Sequence, residues 1–62
     1  MTEERFFDLV AYFGSQSKMA MELDVSRSAV SHWRERGVIP AANAIKIEII
    51  TEGEFKAVEL AS

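Results

Sequence analysis

A helical fold, centred on two short helices joined by a tight turn, is what the first two thirds of this 62-residue sequence predict. Three observations lead there. Apolar residues recur at three- and four-residue spacing in successive segments, the mark of helices buried along one stripe. A small hydroxyl residue stands just ahead of each segment: Thr2, Ser15 and Ser26. Such residues satisfy the unpaired N–H groups of a helix start. Gly14 and Gly37 stand where the first and third segments must stop.

In the first segment Glu3 and Glu4 follow Thr2 and complement the helix dipole. Phe6, Leu9, Val10 and Phe13 form its apolar stripe, flanked by Phe7 and Tyr12. The aromatic group Phe6, Phe7, Tyr12 and Phe13 is expected in the core, with room for one member outside as a dimer contact. Ser15 opens a second helix running to about Leu23 and burying Met19, Ala20 and Leu23. Leu23-Asp24-Val25 forms the turn, which Val25 pins. A third helix runs from about Ser26 to Arg36 and buries Val30 and Trp33. The indole of Trp33 belongs to the core, since it shares a face with Val30. Two helices crossing steeply through so short a turn approach closely, and Ala20 is the small residue that allows it. Arg34 and Arg36 suit the negative end of the third helix. Pro40 fits as the first residue of another, where its missing N–H costs nothing.

From Ala41 to Leu60 the pattern supports two readings. As helices, AANAIKIEII puts Ala42, Ile45 and Ile49 on one face, Thr51-Glu52-Gly53 breaks the run, and a short last helix carries Phe55, Val58 and Leu60. As strands, Ile45, Ile47 and Ile49 alternate strictly, and EFKAVEL returns as the second arm of a hairpin around Glu52-Gly53. Isoleucine favours the strand, whereas Pro40 and the alanines favour the helix. No repeat or low-complexity tract interrupts the chain.

Length bounds the whole to one domain, residues 1–62, with its motif at about 16–36. A chain this short buries a modest core, so weak homodimerisation is expected. There is no cysteine for a disulfide or thiolate metal site, and one histidine cannot make a zinc site alone. No cofactor is implied. No apolar run approaches the ~20 residues that cross a bilayer. The acidic start MTEERFFDL is no secretion signal, so a cytoplasmic protein without membrane contact is expected.

The third helix presents Ser26, Arg27, Ser28, Ser31 and His32 outward. This short-chained polar surface suits entry into a DNA major groove. The net charge of −3 runs against a general nucleic-acid binder. Its distribution does not. Residues 15–38 hold Lys18, Arg27, Arg34 and Arg36 against Glu22, Asp24 and Glu35, a balance of +1, and the remainder carries −4. Weak non-specific affinity and a large share for base readout follow. Arg27 is the first candidate, because its guanidinium matches the O6/N7 edge of guanine. His32 and Glu35 form the one acid–base pair of note. Without a nucleophile, a phosphate-cradling loop or metal ligands beside it, no enzyme is expected.

FGSQSKMAMELDVSRSAVSHW, the following VIP and the later EIITEG together resemble the Cro-type repressors of lambdoid phages, specifically their all-helical branch. The resemblance covers most of the chain. It implies an all-α domain of five helices, with Pro40 opening the fourth and Gly53 preceding the fifth. The alternative, α+β with a hairpin from about Ile45 to Leu60, belongs to the family's other branch. Asp24 departs from the family's usual glycine at a left-handed turn position, and aspartate is among the residues that tolerate it. The low basic content is a second departure. Carried over by position, Gln16 holds a phosphate at the start of the first motif helix, with Ser17 and Lys18 beside it. Arg27, Ser28, Ser31 and His32 read base edges, Ser26 meets the backbone, and Arg34 and Arg36, further along, meet phosphates or solvent.

The function expected is sequence-specific repression at a double-stranded operator. Two subunits would occupy successive major grooves about 34 Å apart, inside the bacterial host cell, with no small-molecule ligand. The rival reading is a small protein-interaction module. It would use the motif only as a scaffold and the apolar segment from Ile45 to Leu60 to bind a partner.

Overall fold

A computed structural model describes all 62 residues. The chain forms α1 (Glu3–Phe13), α2 (Gln16–Leu23), α3 (Arg27–Arg36), α4 (Ala41–Ile50) and α5 (Ala57–Leu60), with no strand. Twelve buried apolar side chains make one cluster to which every helix contributes. The closest packing is of α2 on α3 and of α4 on α5, and α1 and α4 both lean on α2.

Each of the first three helices is capped as its sequence requires. The hydroxyls of Thr2, Ser15 and Ser26 accept from the N–H groups of Arg5, Lys18 and Ala29, each at 3.1 Å. Phe6 and Leu9 of α1 are buried, with Val10 and Phe13 packed partly against the cluster. Phe7 and Tyr12 stay 47% exposed, so two of the four aromatics expected inside lie half outside. Each sits one residue from a buried or half-buried phenylalanine, about 100° round the helix, and α1 has a single covered face. Tyr12 instead stands edge-on to Phe13 and Phe55, with ring centroids 5.5 and 6.1 Å away.

The turn between α2 and α3 rests on Asp24, whose φ of 57° and ψ of 46° are left-handed. The chain then doubles back closely enough for the Val25 N–H to donate to the Ala20 carbonyl at 2.9 Å. The ammonium of Lys46, from α4, donates to the Leu23 carbonyl at 3.2 Å. It thereby satisfies one of the open carbonyls at the end of α2. Met19, Ala20 and Leu23 on one side, and Val30 and Trp33 on the other, are buried as expected.

The last third is helical, which excludes the hairpin. Pro40 stands at the N-cap of α4, one residue ahead of the first helical position expected for it. Its covered face is Ala44 and Ile47, with Ile50 and Thr51 beside them, not Ala42, Ile45 and Ile49. Ile45 and Ile49 are 54% and 71% exposed. Isoleucines surround this helix, so the spacing alone selects no stripe; the positions of α2 and α5 decide. The same holds at the end of the chain. Leu60 is buried in α5, Phe55 is buried in the connection before it, and Val58 points outward at 79% exposure.

Polar side chains fasten that connection. The buried Thr51 hydroxyl donates to the Ile47 carbonyl and accepts from the Phe55 N–H, at 2.9 and 3.2 Å. Glu48 accepts from the Ala57 N–H at 2.6 Å, taking the place of a cap on α5. Arg5 joins the two ends of the molecule. Its guanidinium donates to both carboxylate oxygens of Glu59, at 2.7 and 3.2 Å, and lies 4.4 Å from the centre of the Phe55 ring. The Ile39 N–H donates to the Leu60 carbonyl at 2.9 Å, tying the exit of α3 to α5.

Candidate nucleic-acid interface

The outer side of α3 is held at one fixed distance from the core by Val30 and Trp33, which are 0% and 6% exposed. Around them the helix turns Arg27, Ser28, Ser31 and His32 into solvent. Spacings of one, four and five residues put these four on one contiguous face. Ser26 spends its hydroxyl as an acceptor for the Ala29 N–H but stays exposed at the helix mouth. The N–H groups of Arg27 and Ser28 make no hydrogen bond and open the positive end of the dipole outward.

A second positive end comes from α2. Ser15 takes the Lys18 N–H, and those of Gln16 and Ser17 remain open. Ser17 and Lys18 are exposed and Gln16 is half-buried. This arrangement of open N–H groups, two hydroxyl or amide side chains and one ammonium is suited to an anion.

The arginines of α3 differ. Arg27 and Arg36 are exposed and form no ion pair. Arg34 bends back to α1, where its guanidinium lies 5.1 Å from the Phe7 ring centre and 3.8 Å from a Glu3 carboxylate oxygen. Two acids border the face as well. Glu35 is exposed and shares a hollow with Glu3, Ser31 and Arg34. On the opposite flank His32 and Arg36 line a second hollow, floored by Ala29, Trp33, Val38 and Pro40.

Over residues 7–61 the chain matches the family model described as DNA-binding transcriptional regulator Cro. The chain belongs to the Cro family. It is 43% identical over 49 residues to the regulatory protein cro of Salmonella phage P22, a match that covers 79% of this chain and 77% of that protein. To the regulatory protein cro of Pseudomonas phage D3 it is 38% identical over 55 residues, covering 86% of this chain and 74% of that protein. No solved structure matches the chain.

As a Cro-family member the protein is a DNA-binding transcriptional regulator of a phage kind, not an enzyme. No helix is long and apolar enough to cross a membrane. In this Cro-family chain the ten residues expected at the interface fall into two groups, one at the mouth of α2 and one along α3. Arg34 alone is turned to another partner. Sequence reading missed the part taken by Glu3, Phe7 and Glu35. Glu35 was within reach of it, since it lies four residues beyond Ser31 and seven beyond Ser28 on the same face. Glu3 and Phe7 were not, because nothing local places α1 beside the end of α3.

Proposed function

We propose that this protein represses transcription by inserting α3 into the major groove of a half-site, two subunits taking successive grooves of a near-palindromic operator. The single observation that carries this reading is the outward face of α3. Arg27, Ser28, Ser31 and His32 are exposed together on a helix whose opposite side is buried on α2. Short side chains on a rigid helix can approach base edges closely, and rigidity is what converts hydrogen-bond geometry into discrimination.

Gln16, Ser17, Lys18, Ser26 and Arg36 take phosphates in this reading. They fix the register of α3 without reading sequence. Few cations are involved, so base contacts decide the site to an unusual degree. Two subunits about 34 Å apart give the operator its two-fold character. The dimer is weak. Ile45 and Ile49, exposed on the outer side of α4, offer it a small apolar contact. Occupancy of the operator in the host cytoplasm then excludes polymerase, and protein concentration sets the occupancy.

Selection from a pool of random duplexes, followed by titration of the selected site at rising salt, tests the proposal. A near-palindromic preference is expected, with log affinity falling linearly with log salt. Binding that ignores sequence would refute the reading of α3, and a preference for a single, unrepeated half-site would refute the paired arrangement.

A further inference from the structure

Arg34 is the only cation of α3 that the fold itself engages. Its two partners, Glu3 and Phe7, lie four residues apart and so form one platform on α1. Phe7 presents its ring to the guanidinium within the range of a cation–π contact. This accounts for an aromatic side chain left 47% exposed on a helix whose other phenylalanines are covered more fully. A Glu3 carboxylate oxygen stands 3.8 Å from the same group, and Glu3 also lines the hollow that holds Ser31 and Glu35. The carboxylate therefore stands beside the reading face, where a DNA phosphate would have to come to meet Arg34.

We infer that Glu3 and Phe7 are positioning residues that hold Arg34 against α1 and off the DNA backbone, setting the ratio of operator to random-sequence binding. The inference rests on the proposed role of α3 as the DNA-reading helix. The physical argument is one of competition. A free arginine meeting a phosphate releases a counterion, and this release is the same on every sequence. An arginine engaged by a carboxylate must first give up that partner before it can meet a phosphate. The pair thus subtracts one sequence-blind contact from α3 and leaves the base contacts of Arg27, Ser28, Ser31 and His32 untouched. The ring matters because an exposed ion pair alone is a loose restraint, and stacking fixes the plane of the guanidinium. Glu3 lies ahead of residues 7–61, the stretch matched by the family model, whereas Phe7 and Arg34 lie inside it.

The test compares wild type, Glu3→Gln, Arg34→Ala and the double variant on a random-sequence duplex and on the selected operator, each across a salt series. Glu3→Gln is expected to steepen the slope of log affinity against log salt by about one unit, the gain of one phosphate contact, and to narrow the ratio between the two duplexes. The double variant is expected to behave as Arg34→Ala. An unchanged slope in Glu3→Gln overturns the inference. So does a gain that survives in the double variant, for Glu3 would then act through its charge alone. If the wild type binds neither duplex, the reading of α3 fails and this inference falls with it. That outcome is distinct, because the wild-type titration reports it before any variant is compared.

Discussion

Asp24 carries the left-handed turn of the motif on an L side chain, a conformation that costs most residues roughly 1–2 kcal/mol. Aspartate softens this cost through its short polar group. Asp24→Ala is therefore expected to lower stability by about 1 kcal/mol, while Asp24→Gly leaves it equal or higher. Urea denaturation of the two variants reads both signs. The roles proposed for the motif residues separate by kind of contact. Arg27→Ala should relax preference at one base pair in each half-site, by about 1–3 kcal/mol of discrimination. Gln16→Ala should weaken every site alike and leave their ranking unchanged. A panel of duplexes with single base-pair changes distinguishes the two patterns. Arg27 would lose its assignment if its removal weakened all members equally.

Among the elements, α1, α2 and α3 were legible because their signals are local. A hydroxyl cap, a helical stripe and a stop residue all lie within a dozen positions of one another. The turn at Asp24 was legible for the same reason, since it needs only a residue that tolerates positive φ. The type of α4 and α5 was not fixed by composition, and the resemblance in VIP and EIITEG is what favoured helices. The covered face of α4 was not legible. Ile45, Ile47, Ile49 and Ile50 surround the helix, and only contact with distant α2 and α5 selects Ile47. The candidate site was legible as a set of exposed residues on α3, but the diversion of Arg34 joins positions 27 apart or more in sequence. Paired substitutions check the face. Ile47→Val should cost about 1 kcal/mol by lost packing, and Ile49→Val should stay within about 0.5 kcal/mol of wild type. Equal effects in urea denaturation would contradict the buried assignment of Ile47.

At the scale of the molecule, the two ends of the chain are fastened through Arg5 and Glu59. The Arg5 hydrogen bonds hold the Glu59 carboxyl below the usual glutamate range; burial opposes them as the next largest effect, and the charge of Arg5 adds a smaller lowering. Arg5 is raised in turn, chiefly by the same hydrogen bond. A carboxyl with a folded pKa below its unfolded value binds its proton less readily in the native state. Its contribution is therefore complete above the ordinary glutamate value and is lost as pH falls through the lower, folded one. Glu59→Gln is expected to melt earlier than wild type near neutral pH, with the two curves converging under acid. Thermal melts over that range check the sign, and a constant separation at every pH would rule out ionisation of Glu59 as the source.

The bond from the Ile39 N–H to the Leu60 carbonyl makes the anchorage of α3 depend on the last helix. Leu60 is wholly buried, and its carbonyl fixes the backbone three residues past the end of α3. Removing Leu60 would leave the exposed side chains of α3 in place and still slacken the anchorage of the helix that carries them. Loss of DNA binding in a Leu60-deletion variant, with most helical signal retained, is the expected signature of a last helix that works as a doorstop for α3.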